Sequence, residues 1–109
     1  MRNERARYAL IRAFASEKSL DCRHIWSAVT RSFTYQFGLS GSISAGLYFL
    51  EERSGKDFLV IRVNHENVAQ LRAAIAAIMQ INGVEVILWV SRISGTVKSL
   101  MRSEASENT

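Results

Sequence analysis

The apolar residues of this chain switch period several times, and the order of the switches leaves few folds open. Residues 5–14 (RARYALIRAF) alternate, with Tyr8, Leu10, Arg12 and Phe14 on one side and Ala9, Ile11 and Ala13 on the other. A repeat of two is a strand. From Ser19 or Asp21, both good N-caps, the repeat lengthens. Cys22, Ile25, Trp26, Val29, Phe33 and Phe37 fall at helical spacing, and Gly38 follows as a C-cap. Residues 42–51 alternate again. A polar loop at 52–57 leads into FLVIRV at 58–63, which is apolar enough to be a central strand. Asn64 caps a second helix with the stripe Val68, Leu71, Ala74, Ile75, Ile78 and Met79, and Asn82-Gly83 ends it. Residues 84–91 read as a last strand, Ser94-Gly95-Thr96 breaks it, and a short basic helix spans roughly Val97 to Arg102.

The order β-α-β-β-α-β is the split βαβ plan. It predicts an α+β fold, a ferredoxin-like or RRM-like α-β sandwich with both helices on one face of a four-stranded antiparallel sheet and a short C-terminal helix. A chain of 109 residues holds one such domain, read as 1–103, with 104–109 as a polar tail. The first and last strands of the plan are read as separated, so the basic residues at the two ends of the chain need not share a surface.

Composition narrows the function classes. Arginine supplies 11 of the 14 basic residues, and the formal charge is +4. Guanidinium forks match phosphate oxygens and stack on bases, so the bias leans toward nucleic acid, with simple solubility as the plain alternative. No apolar run approaches the roughly 20 residues of a membrane span. The N-terminus mixes arginines with apolar residues and lacks a signal-peptide core. The expectation is therefore an intracellular protein without a membrane partner: cytoplasmic, or nucleolar in a eukaryotic cell.

Catalytic groups are sparse. The single cysteine, Cys22, can form neither an internal disulfide nor a cysteine-based zinc site. His24 and His65, the only histidines, make no metal cluster with the scattered acids. No catalytic residues and no metal site are assigned. Arg5, Arg7 and Arg12 cluster near one end of the chain, and Arg92, Lys98 and Arg102 near the other. Ser94-Gly95-Thr96-Val97-Lys98 carries a strand through a glycine turn into a helix start. Free backbone N–H groups, the Thr96 hydroxyl and Lys98 would then face one small region suited to a phosphate. Ordinary helix capping by Ser94 or Thr96 explains the same residues equally well. Arg62 interrupts an apolar strand and is expected on the open face of the sheet, because a buried unpaired guanidinium is costly. Tyr8, Arg12 and Phe14 could stack bases, but FLVIRV lacks the glycine-aromatic signature of classical RNA-recognition domains. An apolar open face would rather dock a protein.

Four segments together resemble the ribonuclease P protein component 2 family of archaea and eukaryotes. They are Arg5-Ala6-Arg7-Tyr8, Val60-Ile61-Arg62-Val63, Leu71-Arg72-Ala73-Ala74-Ile75, and residues 90–100 (VSRISGTVKSL). The family pattern is a basic-Arg-Tyr start, an Ile-Val-Arg strand, a Leu-Arg-x-Ala helix and a Ser-Gly-Thr-Ile-Lys close, and order and spacing agree over residues 4 to 102. The resemblance implies a non-catalytic subunit of the ribozyme that removes the 5′ leader from precursor tRNA. Its partners would be ribonuclease P RNA and protein component 3, with precursor tRNA met indirectly. Magnesium would be used by the RNA, and no cofactor would be bound by the protein. Carried over by position, Arg7, Tyr8, Arg62, Gly95, Thr96 and Lys98 match motif residues. Arg5, Arg92 and Arg102 join them as RNA-binding candidates on charge. An ACT-like small-molecule-binding regulatory module is the competing reading. It would be a homodimer with a ligand between its sheets. A structural adaptor without nucleic acid is a third.

Overall fold

A computed structural model describes residues 5–107. Its first strand, β1 (Ala6–Phe14), leads to helix α1 (Cys22–Ser44), strand β2 (Tyr48–Phe49) and strand β3 (Phe58–Asn64). A 3-10 turn at His65–Asn67 enters helix α2 (Val68–Ala76). Strands β4 (Gln80–Ile81) and β5 (Val84–Glu85) form a small hairpin, followed by strand β6 (Ile87–Ser94) and helix α3 (Val97–Glu107). The main sheet has the order β2-β3-β1-β6, and every pairing is antiparallel. This is the split βαβ sandwich the periodicity predicts.

The alternation in β1 decides what each face meets. Ala9, Ile11 and Ala13 pack with Leu59, Ile61 and Val63 of β3 under α1 and α2, whose Ile25, Val29, Phe33, Leu71 and Ala74 complete the core. Phe33 is fully buried, and truncating such a residue to alanine costs about 3–5 kcal/mol. Leu10 and Val60 point to the opposite face, where Leu100 of α3 covers them. The short C-terminal helix is therefore packed on the sheet, and it divides a face that would otherwise lie open.

Asp21 is the cap of α1, its carboxylate accepting from Arg23 N at 2.9 Å. Asp57 ties the β1–α1 connection to the loop before β3. Its N–H donates to Leu20 O (2.8 Å), its Oδ1 accepts from Leu20 N (2.7 Å), and its carbonyl accepts from Ala13 N (2.9 Å). Those three bonds hold it at φ 68°, a region costly for a residue with a Cβ.

Three expectations are corrected. Gly38 (φ 81°) does break α1, but the chain re-enters the helix and runs to Ser44, so 42–47 is not strand and β2 shrinks to two residues. Asn82-Gly83 does not end α2, which stops at Ala76. The pair forms the turn of the β4–β5 hairpin, with both residues at positive φ (53° and 80°), as a two-residue hairpin requires. The first and last strands are adjacent: β1 pairs with β6 from Tyr8↔Ser94 to Phe14↔Ile87. Each β-α-β crossover skips one strand, so β6 is placed against the free side of β1. One register shift interrupts that ladder, with Ser91 as the extra residue of a bulge between the Leu10↔Arg92 and Ile11↔Val90 pairs.

Candidate nucleic-acid interface

The β1–β6 pairing puts the start of the first strand beside the end of the last. Tyr8 lies opposite Ser94, so Arg7 and Gly95 are neighbours. A Cβ built on Gly95 would stand 4.0 Å from Arg7 Nη1. Arg7 is half-buried on the helix side of the sheet, across from Val63, and the same Nη1 donates to Ala6 O at 3.0 Å. Arg5 is exposed at this end, and its carbonyl accepts from His65 N at 2.7 Å. Arg5 and Arg7, distant in sequence from the Gly95 turn and Lys98, thus share one end of the sheet with them, whereas Arg12 lies toward the other end of β1.

The turn itself is built by capping. Thr96 Oγ1 accepts from Ser99 N (3.1 Å), Thr96 O accepts from Leu100 N (3.1 Å), and Ser94 Oγ accepts from Thr96 N (3.3 Å). Thr96 is therefore the N-cap of α3. The capping explanation holds, and the hydroxyl keeps its own proton to donate. Thr96, Lys98 and Arg102 are exposed, so the first turn of α3 presents Lys98 together with the positive end of the helix dipole.

Arg62 lies on the side of the sheet away from α1 and α2, as expected, although that face is partly covered by α3 and is not open. It forms one row with Tyr48 of β2 and Tyr8 of β1, its cross-strand partners. Its Nη1 donates to Gly46 O at 2.8 Å, so part of the guanidinium is committed to the fold. Tyr8 is half-buried against the Leu10–Val60–Leu100 cluster. Arg92 is half-buried in β6 opposite Leu10. The nine candidates thus divide. Arg5, Arg7, Gly95, Thr96 and Lys98 gather at the sheet end, Tyr8, Arg62 and Arg92 lie along the α3 face, and Arg102 is on α3. Tyr48, exposed beside Arg62, falls in the strand read over 42–51 but was not singled out as a site residue.

Among the described residues, three titrating groups show shifted values. Asp21 is held below its ordinary 3.8, chiefly by the backbone N–H of Arg23. Arg23 is raised by its hydrogen bond to Glu51 at 2.9 Å. Burial pushes the Cys22 thiol up, which keeps it protonated and unreactive near neutral pH. Among the described residues no group of three or more His, Cys, Asp or Glu side chains is placed to hold a metal ion. No described helix is long and apolar enough to cross a membrane.

Fold and site together define a small, arginine-rich split βαβ domain with a basic sheet end and a helix across its second face. Residues 7–104 match the Rpp14/Pop5 family, and the chain belongs to it. It is similar to ribonuclease P protein component 2 of Thermococcus kodakarensis, at 31% identity over 83 residues, covering 76% of this chain and 69% of that protein. The component 2 of Thermococcus gammatolerans is 30% identical over 83 residues, covering 76% of this chain and 66% of that protein. A chain in a cryo-EM structure of yeast ribonuclease MRP shares the fold at a TM-score of 0.69 and 12% identity, with 98% of this chain and 96% of that chain covered.

Proposed function

We propose that this chain is a protein subunit of ribonuclease P that binds and supports the catalytic RNA, and that the RNA, not the protein, cleaves the 5′ leader of precursor tRNA. The observation that carries this reading is the meeting of Arg7, Gly95, Thr96 and Lys98 at one sheet end, in a member of the Rpp14/Pop5 family. Arg7 and Lys98 contact phosphates as cations, and the Thr96 hydroxyl and the N–H groups at the start of α3 contact them as neutral donors. Arg5, Arg92 and Arg102 extend the positive surface. Magnesium belongs to the RNA, whose charge the protein screens. The compartment is cytoplasmic, or nucleolar in a eukaryotic cell.

Component 3 is the protein partner in this reading. With α3 covering the centre of one sheet face, the helix side is the better dock. Tyr35 (90% exposed), Leu39 and Ile43 stand out from α1 there. Salt dependence tests the phosphate assignment. Binding to ribonuclease P RNA should fall with a log–log slope that diminishes by about one to two in Arg7→Ala/Lys98→Ala. An unchanged slope would remove those two residues from the interface.

A further inference from the structure

The chain has five asparagines, and only Asn82 precedes a glycine. Two of the others lie in the described region, and each is tied down at both its side chain and the amide that follows it. Asn64 is 6% exposed, its Nδ2 donates to Ser44 O, and the next amide, His65 N, donates to Arg5 O at 2.7 Å. Asn67 Nδ2 donates to Gln70 Oε1 at 2.6 Å, and Val68 N donates to His65 O. Asn82 is the opposite case. It and Gly83 are exposed at the tip of the β4–β5 hairpin, at φ 53° and 80°. Among the described residues no hydrogen bond engages the Asn82 side chain or the Gly83 N–H. A Cβ built on Gly83 would meet nothing within 4 Å, so the space around that nitrogen is open.

We propose that Asn82-Gly83 is a site of spontaneous covalent modification, passing through a cyclic imide to aspartyl and isoaspartyl forms. Gly83 N gives its proton to solvent and attacks Asn82 Cγ. The N–Cγ bond forms, the Cγ–Nδ2 bond breaks, and Nδ2 takes up a proton and leaves as ammonia. Water then opens the imide. Cleavage of the N–Cγ bond leaves aspartate at position 82. Cleavage between the nitrogen and the main-chain carbonyl carbon leaves isoaspartate, with the chain running through the side chain. Water is the only co-reactant, and nothing is oxidised or reduced. Gly83 has no Cβ to obstruct the ring. The hairpin is closed by only two residue pairs, Gln80↔Glu85 and Ile81↔Val84, so opening it to the attack geometry costs little. Both products add a carboxylate to a hairpin that already carries Glu85. The isoaspartyl form also lengthens the main chain, which a two-residue turn cannot absorb without breaking the Ile81↔Val84 pair. Ile81 is 3% exposed in the core, and Val86 N donates to Met79 O at 3.0 Å, so this strain reaches the packing under the hairpin. The hairpin runs into Ile87, the partner of Phe14, at the opposite end of β1 from the Gly95 turn. The inference therefore stands apart from the RNA-binding reading.

The test ages the full-length native chain at mildly alkaline pH and follows its peptides by mass spectrometry, with enzymatic methylation of isoaspartyl carboxyls as a second readout. The peptide holding residue 82 should exchange its amide for a carboxyl and gain isoaspartate at a rate within about tenfold of the urea-unfolded chain. Peptides holding Asn64 and Asn67 should stay unchanged in the native chain. Asn82→Gly keeps a pair that the hairpin turn accepts, and it should remove the signal. The converted protein, separated by its added charge, should exchange the amides of Ile81 and Val86 faster than the unconverted one. A native chain that keeps Asn82 intact while the urea-unfolded chain converts would overturn the proposal, because the turn would then hold Asn82 Cγ away from Gly83 N. Conversion at Asn64 or Asn67 as fast as at Asn82 would overturn it as well, since hydrogen bonding would not be selecting the site.

Discussion

Arg62 donates to the carbonyl oxygen of Gly46 at 2.8 Å, and the glycine is at φ +67°. The two residues need each other. A Cβ at position 46 would lie 2.5 Å from Arg62 Nη1 and 2.7 Å from Asn64 Oδ1. The same turn accepts from Asn64, whose Nδ2 donates to Ser44 O and whose backbone N–H donates to Ala45 O, each at 2.9 Å. The end of α1 is thereby fastened to the end of β3, and the guanidinium in the middle of the α3 face is held still.

Gly46→Ala should lower stability by about 2 kcal/mol or more, combining the left-handed backbone with a clash against Arg62. Urea unfolding reads this directly. Arg62→Ala should also destabilise, by about 1–2 kcal/mol, because it removes a charged hydrogen bond to a half-buried carbonyl. An Arg62→Ala variant as stable as wild type, yet weak in RNA binding, would show that the side chain serves the ligand more than the fold.

Thr96 is both the cap of α3 and a proposed phosphate donor, and the two roles can be separated. Thr96→Ala should cost about 1 kcal/mol and speed amide exchange at Ser99. Thr96→Asp caps as well as threonine but sets a negative charge at the proposed phosphate site. Its thermal midpoint should match wild type while RNA binding falls about tenfold or more. Equal RNA binding by Thr96→Asp and wild type would exclude phosphate from this turn.

Asp21 makes the start of α1 sensitive to acid. Its carboxyl lies below the ordinary 3.8 because Arg23 N donates to it. A depressed value means that the stabilising contribution is present above the unfolded-state value and is lost as pH falls through the folded one. Asp21→Asn keeps an acceptor and loses the charge. The urea-midpoint difference between it and wild type should therefore change as pH falls below about 4.

Cys22 is 8% exposed, and burial raises its thiol. A thiol reagent should label the native protein slowly at pH 7 and quickly in denaturant. Rapid native labelling at pH 7 would mean that the N-terminal turn of α1 opens readily.

Local signals in the sequence carried most of the fold. The parity of β1 placed Ala9, Ile11 and Ala13 correctly in the core, and the stripe from Cys22 to Phe33 placed α1. Signals with two structural meanings misled. Gly38 does break the helix, but nothing nearby forbids re-entry, and Ser44 Oγ bonding Ser40 O at 2.9 Å is helical geometry that alternation at 43, 45 and 47 concealed. Asn-Gly is an I′ turn signal as well as a helix stop, and the short strands beside it, Gln80–Ile81 and Val84–Glu85, offer too little alternation to decide. The candidate site was legible as residue types and illegible as a place. Arg7 and Gly95 are 88 positions apart, and only the topology that sets β6 against β1 joins them.

The most direct measurement is precursor-tRNA cleavage by ribonuclease P RNA at limiting magnesium, with component 3 present and this chain added or withheld. Cleavage that rises only when both proteins are present, and falls back with Arg7→Ala/Lys98→Ala, is the predicted result. A chain that leaves cleavage unchanged and instead purifies as a ligand-responsive homodimer would contradict the account and favour an ACT-like regulatory module.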